Sequence, residues 1–230
     1  MAQSTENARK ALIVWGGWDG HEPQQVAEIF ERELTSRGFS VEVATTLDVF
    51  LDAEKLKSLS LIVPVWTMDK ITSEQLNPVL EAVISGVGLA GCHGGMCDAF
   101  RESTDWQLMT GGQWVAHPGN DGMEYTVRIT QPNHFITQGS PAEFTVKSEQ
   151  YYLHTDPPNQ TLAVTHFPVA DGPHTPNGSF DMPVIWTRLH GKGRVAYNSL
   201  GHHADIVAQP EVLPLMVRGL LWAAHAEDAL

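Results

Sequence analysis

Short apolar runs separated by stretches of helical periodicity constrain this chain more than any other feature. Residues 10–16 (Lys-Ala-Leu-Ile-Val-Trp-Gly), the Val41/Val43 pair, residues 59–65 and residues 87–91 are each too short for a buried helix and end in small or polar residues, as buried strands do. Between the first two, Pro23 suits a first helical turn, Val26, Ile29, Phe30 and Leu34 recur on one face, and Gly38 supplies a stop, which predicts a helix to about Arg37. Between the last two, Thr72 and Gln75 read as a capping box ahead of Leu76, Val79, Leu80, Val83 and Ile84. Such alternation predicts an α/β chain with an open, mostly parallel sheet and helices on both faces. Ligands of such sheets bind beyond the carboxyl ends of the strands, so functional residues belong in the loops that follow them.

From about Gly111 the pattern changes to short strands with many turns: residues 125–129, 144–146, 162–167, 184–189 and 194–198. Pro157-Pro158, Gly172-Pro173 and Pro176-Asn177-Gly178 mark loops, and residues 213–224 read as a closing amphipathic helix. The second half is therefore a β-rich elaboration. With 230 residues and neither repeat nor low-complexity linker, one domain over residues 10–230 is expected, preceded by a polar tail, residues 1–9.

Fourteen Lys and Arg against 27 Asp and Glu give a formal charge of -13, which disfavours phosphate backbones and anionic lipid surfaces as partners. The run 11–15 is too short to span a bilayer and follows no signal-peptide pattern, so a cytoplasmic protein with neither membrane nor nucleic-acid partner is expected. The two cysteines, Cys92 and Cys97, fit neither a disulfide framework nor a zinc ribbon and read as reduced thiols.

Leu89-Ala-Gly-Cys92-His93-Gly94-Gly-Met-Cys97-Asp98 carries the most chemistry. An apolar strand runs into a glycine-flanked turn, the pattern of a nucleophile elbow, where a strained backbone presents one side chain above the sheet. That side chain is His93. The turn is similar to the G-x-C-x-G elbow of class I glutamine amidotransferases with His93 in place of the nucleophilic cysteine. Cys92 then points into the sheet, and glutamine hydrolysis through a thiolate is lost. An ordered set of four motifs, this turn included, narrows the likeness: Gly16-Gly17 with His21, Gly91-x-His93-Gly94, Gly111-Gly112 with His117, and Gly191-x-Gly193-Arg194-Val195 leading to Gly201-His202. Together they resemble the ThuA-like, or trehalose-utilisation, family of the glutamine amidotransferase-like superfamily, from about Lys10 to Trp222. The resemblance implies a flavodoxin-like core and a role in sugar metabolism, including the handling of keto-sugars.

By that resemblance His202 falls where the superfamily carries its triad histidine, although the adjacent His203 is an alternative. Two imidazoles at one site can share acid and base work near neutrality. His21 precedes the first helix at the ligand edge; it is a substrate-binding candidate or a surface loop residue, and Asp19 beside it reads as a turn residue. Within residues 148–156, Glu149 is a candidate base and Tyr151 and His154 are candidate hydroxyl-reading groups. Strand alternation puts Glu149 and Tyr151 on one face and Tyr152 and His154 on the other, so all four share a site only if the strand ends there. His117 matches the family's second histidine motif, or caps a loop. Trp18, Trp66 and Trp114 are available to stack on sugar rings, with core or rim packing as the plainer role.

No H-E-x-x-H or comparable metal motif is present. A divalent metal site would have to be assembled from distant loops, with His21, His93, Glu149, His154 and His202 as the pool. Taken with what the resemblance implies, an enzyme acting on a carbohydrate or keto-sugar by proton transfer, isomerisation or hydration is expected, with His93, His202 and Glu149 catalytic and His21, Tyr151, His154 and His117 binding the small-molecule substrate. A non-catalytic sugar-binding or regulatory module is the alternative, and residual thiol chemistry at Cys92 or Cys97 a third. A homo-oligomer is compatible with either of the first two.

Overall fold

In a computed structural model, which describes residues 9–230, the chain alternates strand and helix through its first half. Strand β1 (Lys10–Gly17) is followed by α1 (Pro23–Ser36), β2 (Ser40–Ala44), α2 (Ala53–Lys57), β3 (Leu61–Thr67), α3 (Ser73–Ser85), β4 (Gly88–Cys92), and the short helices α4 (Gly94–Cys97) and α5 (Thr104–Thr110). The second half supplies β5 (Gly112–Ala116), β6 (Met123–Ile129), β7 (Glu143–Ser148), β8 (Tyr152–Thr155), β9 (Gln160–Phe167), β10 (Phe180–His190), β11 (Gly193–Asn198), α6 (Ala204–Val207) and α7 (Leu213–Ala223). Of the expected polar tail, residues 1–8 lie outside the described residues; Arg9 is tied to Asp228 at 2.8 Å.

Nine strands form one sheet in the order β2-β1-β3-β4-β11-β10-β9-β6-β7. The half from β2 to β11 is parallel throughout. Counting β11 as the fifth parallel strand, its order is 2-1-3-4-5, the doubly wound flavodoxin-like arrangement. The β-rich second half continues the same sheet as antiparallel strands.

Period-two alternation on the central strands explains the two cores. Ala11 and Ile13 of β1 face one side, where they meet Val26, Phe30 and Leu34 of α1 and Val217, Leu220 and Leu221 of α7. Leu12 and Val14 face the other, where Phe50, Leu56, Leu76, Val79 and Val83 cover them. Helix α3 begins on the capping box read from the sequence, Thr72 Oγ1 accepting from the Gln75 amide and Gln75 Oε1 accepting from the Thr72 amide. Both sheet faces are thus closed. The carboxyl ends of β1, β3, β4 and β11 are left to carry side chains outward, at the point where the strand order reverses.

Candidate active site

His93 follows β4 at φ 49° and ψ −137°, a strained conformation for a non-glycine residue that persists because its surroundings fix it. Its amide donates to the Asn198 carbonyl at 2.7 Å, and its carbonyl accepts from the Tyr197 hydroxyl at 3.0 Å. On the ring, Nδ1–H donates to the Ser199 carbonyl at 2.8 Å, which leaves Nε2 as the atom facing the site. Gly91 and Gly94 make room for this turn: a Cβ at Gly94 would lie 2.6 Å from the His21 ring.

Three further side chains meet His93 Nε2. Glu149 Oε2 lies 3.1 Å away and His202 Nδ1 3.3 Å away, and the Glu149–His202 distance is also 3.3 Å. His21 places Nε2 4.0 Å from Glu149 Oε2 while its Nδ1 is fixed by the Thr67 hydroxyl at 2.8 Å. One nitrogen from each imidazole and one carboxylate oxygen therefore lie within 4.8 Å of one another, all four residues being buried. His21 follows β1, Thr67 ends β3, His93 follows β4 and His202 follows β11. Glu149 arrives from the antiparallel extension in the connection from β7 to β8. Its carbonyl accepts from the Tyr125 hydroxyl at 2.8 Å, and its neighbour Gln150 is pinned by Thr165, His166 and Val169.

Burial sets the protonation of the cluster. It pushes His21 down to about 2, with His93 and His202 adding to the effect. Burial also lowers His93, against the opposing pull of Glu149. For Glu149 burial works against the charge, but contacts with His202 and His93 more than offset it and hold the carboxyl below its ordinary range. An ionised carboxylate thus sits among imidazoles of which at least His21 and His93 are held neutral.

Above the cluster a cavity of about 110 Å³ is walled by Trp18, Asp98, Arg101, Trp114, His117 and Tyr151, with His21 and Glu149 at its base. The Tyr151 ring stacks on His93, with centroids 4.0 Å apart and planes at 25°. Arg101 Nε donates to Asp98 Oδ1 at 2.5 Å and lies 4.5 Å above the Trp114 ring. Trp114 and His117 are shared with a shallower groove of about 450 Å³, completed by residues 118–120 and 171–174.

With this geometry in place, the family described as "ThuA: Trehalose utilisation" matches residues 10–223. The chain belongs to the ThuA family. No curated protein sequence matches it. A ThuA-like protein from Bacteroides uniformis superposes with a TM-score of 0.77 at 18% identity, over 96% of this chain and 94% of that one. One from Parabacteroides merdae gives 0.72 at 19%, over 95% and 90%. A Salmonella typhimurium protein described as cytoplasmic gives 0.63 at 12%, over 94% and 98%. At these identities the likeness speaks for the fold. Membership of the ThuA family gives the protein a carbohydrate-related role. Among the described residues no helix is long and apolar enough to cross a membrane.

In this ThuA protein the glycine motifs bring His21, His93 and His202 to one point. His202 is the inward member of its pair, 4% exposed, whereas His203 is half-buried beside it. His117 sits at the rim, its Nδ1 3.5 Å from Glu149 Oε1. His154 is a correction. Strand β8 starts only at Tyr152 and buries Leu153, which turns His154 outward to solvent, so it joins neither the cluster nor the cavity. Glu149 and Tyr151, from the connection before that strand, face the site together. Trp66 is also a core residue, packed over Gly16, and only Trp18 and Trp114 line the cavity. Both thiols are buried, and burial pushes Cys92 up to about 12, so neither is a nucleophile at the cleft. Sequence reasoning missed Thr67, Asp98 and Arg101. A polar residue closing the all-apolar strand β3, and an acid one helical turn past the glycine elbow, were the available signals.

Proposed function

We propose that this ThuA protein is an enzyme acting on a sugar or keto-sugar, moving a proton at a carbon beside the carbonyl in an isomerisation, hydration or related step. The observation that carries this reading is the meeting of His93 Nε2, His202 Nδ1 and Glu149 Oε2 within 3.1 to 3.3 Å, directly behind an aromatic-walled cavity that Glu149 and His21 line. An ionised carboxylate and neutral imidazoles together form a group that accepts a proton and returns it. Indole faces and a few charged groups around a small opening suit a carbohydrate, whose C–H faces stack while its hydroxyls find partners. The inner cavity has the space of about three or four waters. It takes the reacting edge of one ring, and the adjoining groove accepts the remainder of a larger saccharide. Asp98, Arg101 and His117 are placed to read hydroxyls, and Tyr151 holds His93 in position by stacking. The acidic composition, and the likeness to a protein described as cytoplasmic, support a cytoplasmic location.

The test is turnover. Purified protein is incubated with a panel of disaccharides and their keto derivatives, and products are followed by proton NMR. Conversion of at least one keto-sugar, reduced 100-fold or more in Glu149→Gln, is expected; binding across the panel without conversion identifies a non-catalytic sugar module instead.

A further inference from the structure

We propose that His21, His93, His202 and Glu149 form a binding site for one divalent first-row transition-metal ion of the zinc or manganese class. This deepens the reading above by naming the cofactor of the same site, and it stands on donor geometry rather than on turnover. Four ligands about 2.0 to 2.1 Å from a tetrahedral ion are separated from one another by roughly 3.3 Å. The distances among His93 Nε2, His202 Nδ1 and Glu149 Oε2 are 3.1, 3.3 and 3.3 Å, which is one face of such a tetrahedron. His21 Nε2, at 4.0 Å from Glu149 Oε2, stands off by more than the others and closes the set by a small ring movement.

The lone pairs lead to the same place. His93 donates its Nδ1 hydrogen to the Ser199 carbonyl, so in the neutral ring a bare Nε2 faces a carboxylate oxygen at 3.1 Å. The single hydrogen that His202 can bring to Nδ1 does not separate those two lone pairs. A cation at their centre does. The outer ring is also that of a metal site: metal-bound histidines characteristically fix their second nitrogen on a carbonyl, carboxylate or hydroxyl. Here His93 does so through Ser199 and His21 through Thr67. Three imidazoles with one carboxylate favour zinc, iron, cobalt, nickel or manganese over magnesium and calcium, which prefer oxygen alone. His21 and Glu149 also form the base of the cavity, so the ion would meet the substrate on that side by expanding to a fifth ligand. Held there, such an ion would supply Lewis-acid polarisation of a sugar carbonyl or a more acidic water.

The experiment uses untagged, full-length protein. Metal content is measured by elemental mass spectrometry as purified. After chelator dialysis, zinc and manganese are titrated calorimetrically, and cobalt is added to read its visible ligand-field bands. Near one ion per chain and a submicromolar zinc affinity are expected, with the cobalt bands of a low-symmetry nitrogen and oxygen site. His202→Gln and Glu149→Gln should weaken zinc by more than about 100-fold, and Thr67→Val, which keeps the shape beside His21, by about 10-fold, as loss of an outer partner does. His154→Gln should leave affinity unchanged. Metal-free protein that takes up no ion at 100 µM zinc or manganese (roughly, a ceiling on any useful affinity) overturns the proposal. So does binding that survives both cluster substitutions, since the ion is then elsewhere. Tight binding lost in those variants upholds it even if no sugar is turned over, in which case only the enzymatic reading fails.

Discussion

Lowering the pH from 7 to 5 should destabilise this protein through its buried histidines, and His21 sets the scale. Its ordinary value is 6.5 and burial takes it to about 2 in the folded chain. Below pH 6.5 the unfolded chain binds a proton that the folded chain refuses. The stability His21 contributes is therefore complete above 6.5 and is lost progressively as the pH falls towards 2. Over the 1.5 pH units from 6.5 to 5 the loss is about 2 kcal/mol, a large share of the 5 to 15 kcal/mol (roughly) that holds a domain together. His93 is shifted in the same direction and adds to the slope. Glu149, ordinarily at 4.5 and lowered on folding, is silent in this window and steepens the loss below it. The assay is urea unfolding followed by circular dichroism at pH 7, 6 and 5, on chelator-treated protein so that bound ions do not enter. His21→Asn, which keeps a polar atom near Thr67, should lose about 2 kcal/mol less than wild type between pH 7 and 5. Identical pH dependence in wild type and His21→Asn would refute the neutral, buried assignment of His21.

Gly94→Ala sets a methyl 2.6 Å from the His21 ring and 2.9 Å from Thr67 Cγ2. It should cost about 1 to 3 kcal/mol of stability and, by moving the ring, lower turnover by roughly 10- to 100-fold. Gly219→Ala in α7, whose added methyl lies 3.8 Å from Ala196 Cβ, should stabilise by about 0.5 to 1 kcal/mol in thermal unfolding and leave turnover alone. Native protein should show no fast-reacting thiol towards a disulfide reagent at pH 8, and both Cys92 and Cys97 should react in denaturant, since each is buried and burial raises each thiol. Rapid labelling of native Cys92 would reopen thiol chemistry at the elbow.

The parallel half of the sheet was legible because each strand is a short apolar run and each long helix carries its own stop or cap, as Gly38 and the Thr72–Gln75 pair do. The elbow was legible for the same reason: a buried strand that ends in Gly91-Cys92-His93-Gly94 has few ways to turn. Convergence was harder to read. Glu149 lies 56 residues from His93 and His202 lies 109 away, and no local pattern says that the β-rich extension folds back over the elbow. The small two-stranded sheet of β5 and β8 escaped notice because its strands are short and only partly buried. That omission misplaced His154: alternation counted through Glu149 correctly separates it from Tyr151, but only the start of β8 at Tyr152 shows which pair faces inward. Asp98 and Arg101 passed unnoticed because an Asp followed three residues later by an Arg is ordinary on a surface, and only the burial of Asp98 sets this one apart.

That the cluster around His93 moves a proton on a bound sugar is tested most directly by deuterium exchange. A keto-sugar that the protein binds is incubated in deuterated water with wild type or with His93→Ala. Deuterium in the recovered sugar is read by mass spectrometry, beside the calorimetric affinity for the same compound. Wild type should exchange the hydrogen next to the carbonyl, and His93→Ala should suppress exchange by 100-fold or more (about 3 kcal/mol of transition-state stabilisation) while affinity changes by only a few-fold. Equal exchange by the two proteins, or tight binding by wild type with neither exchange nor product, would contradict it.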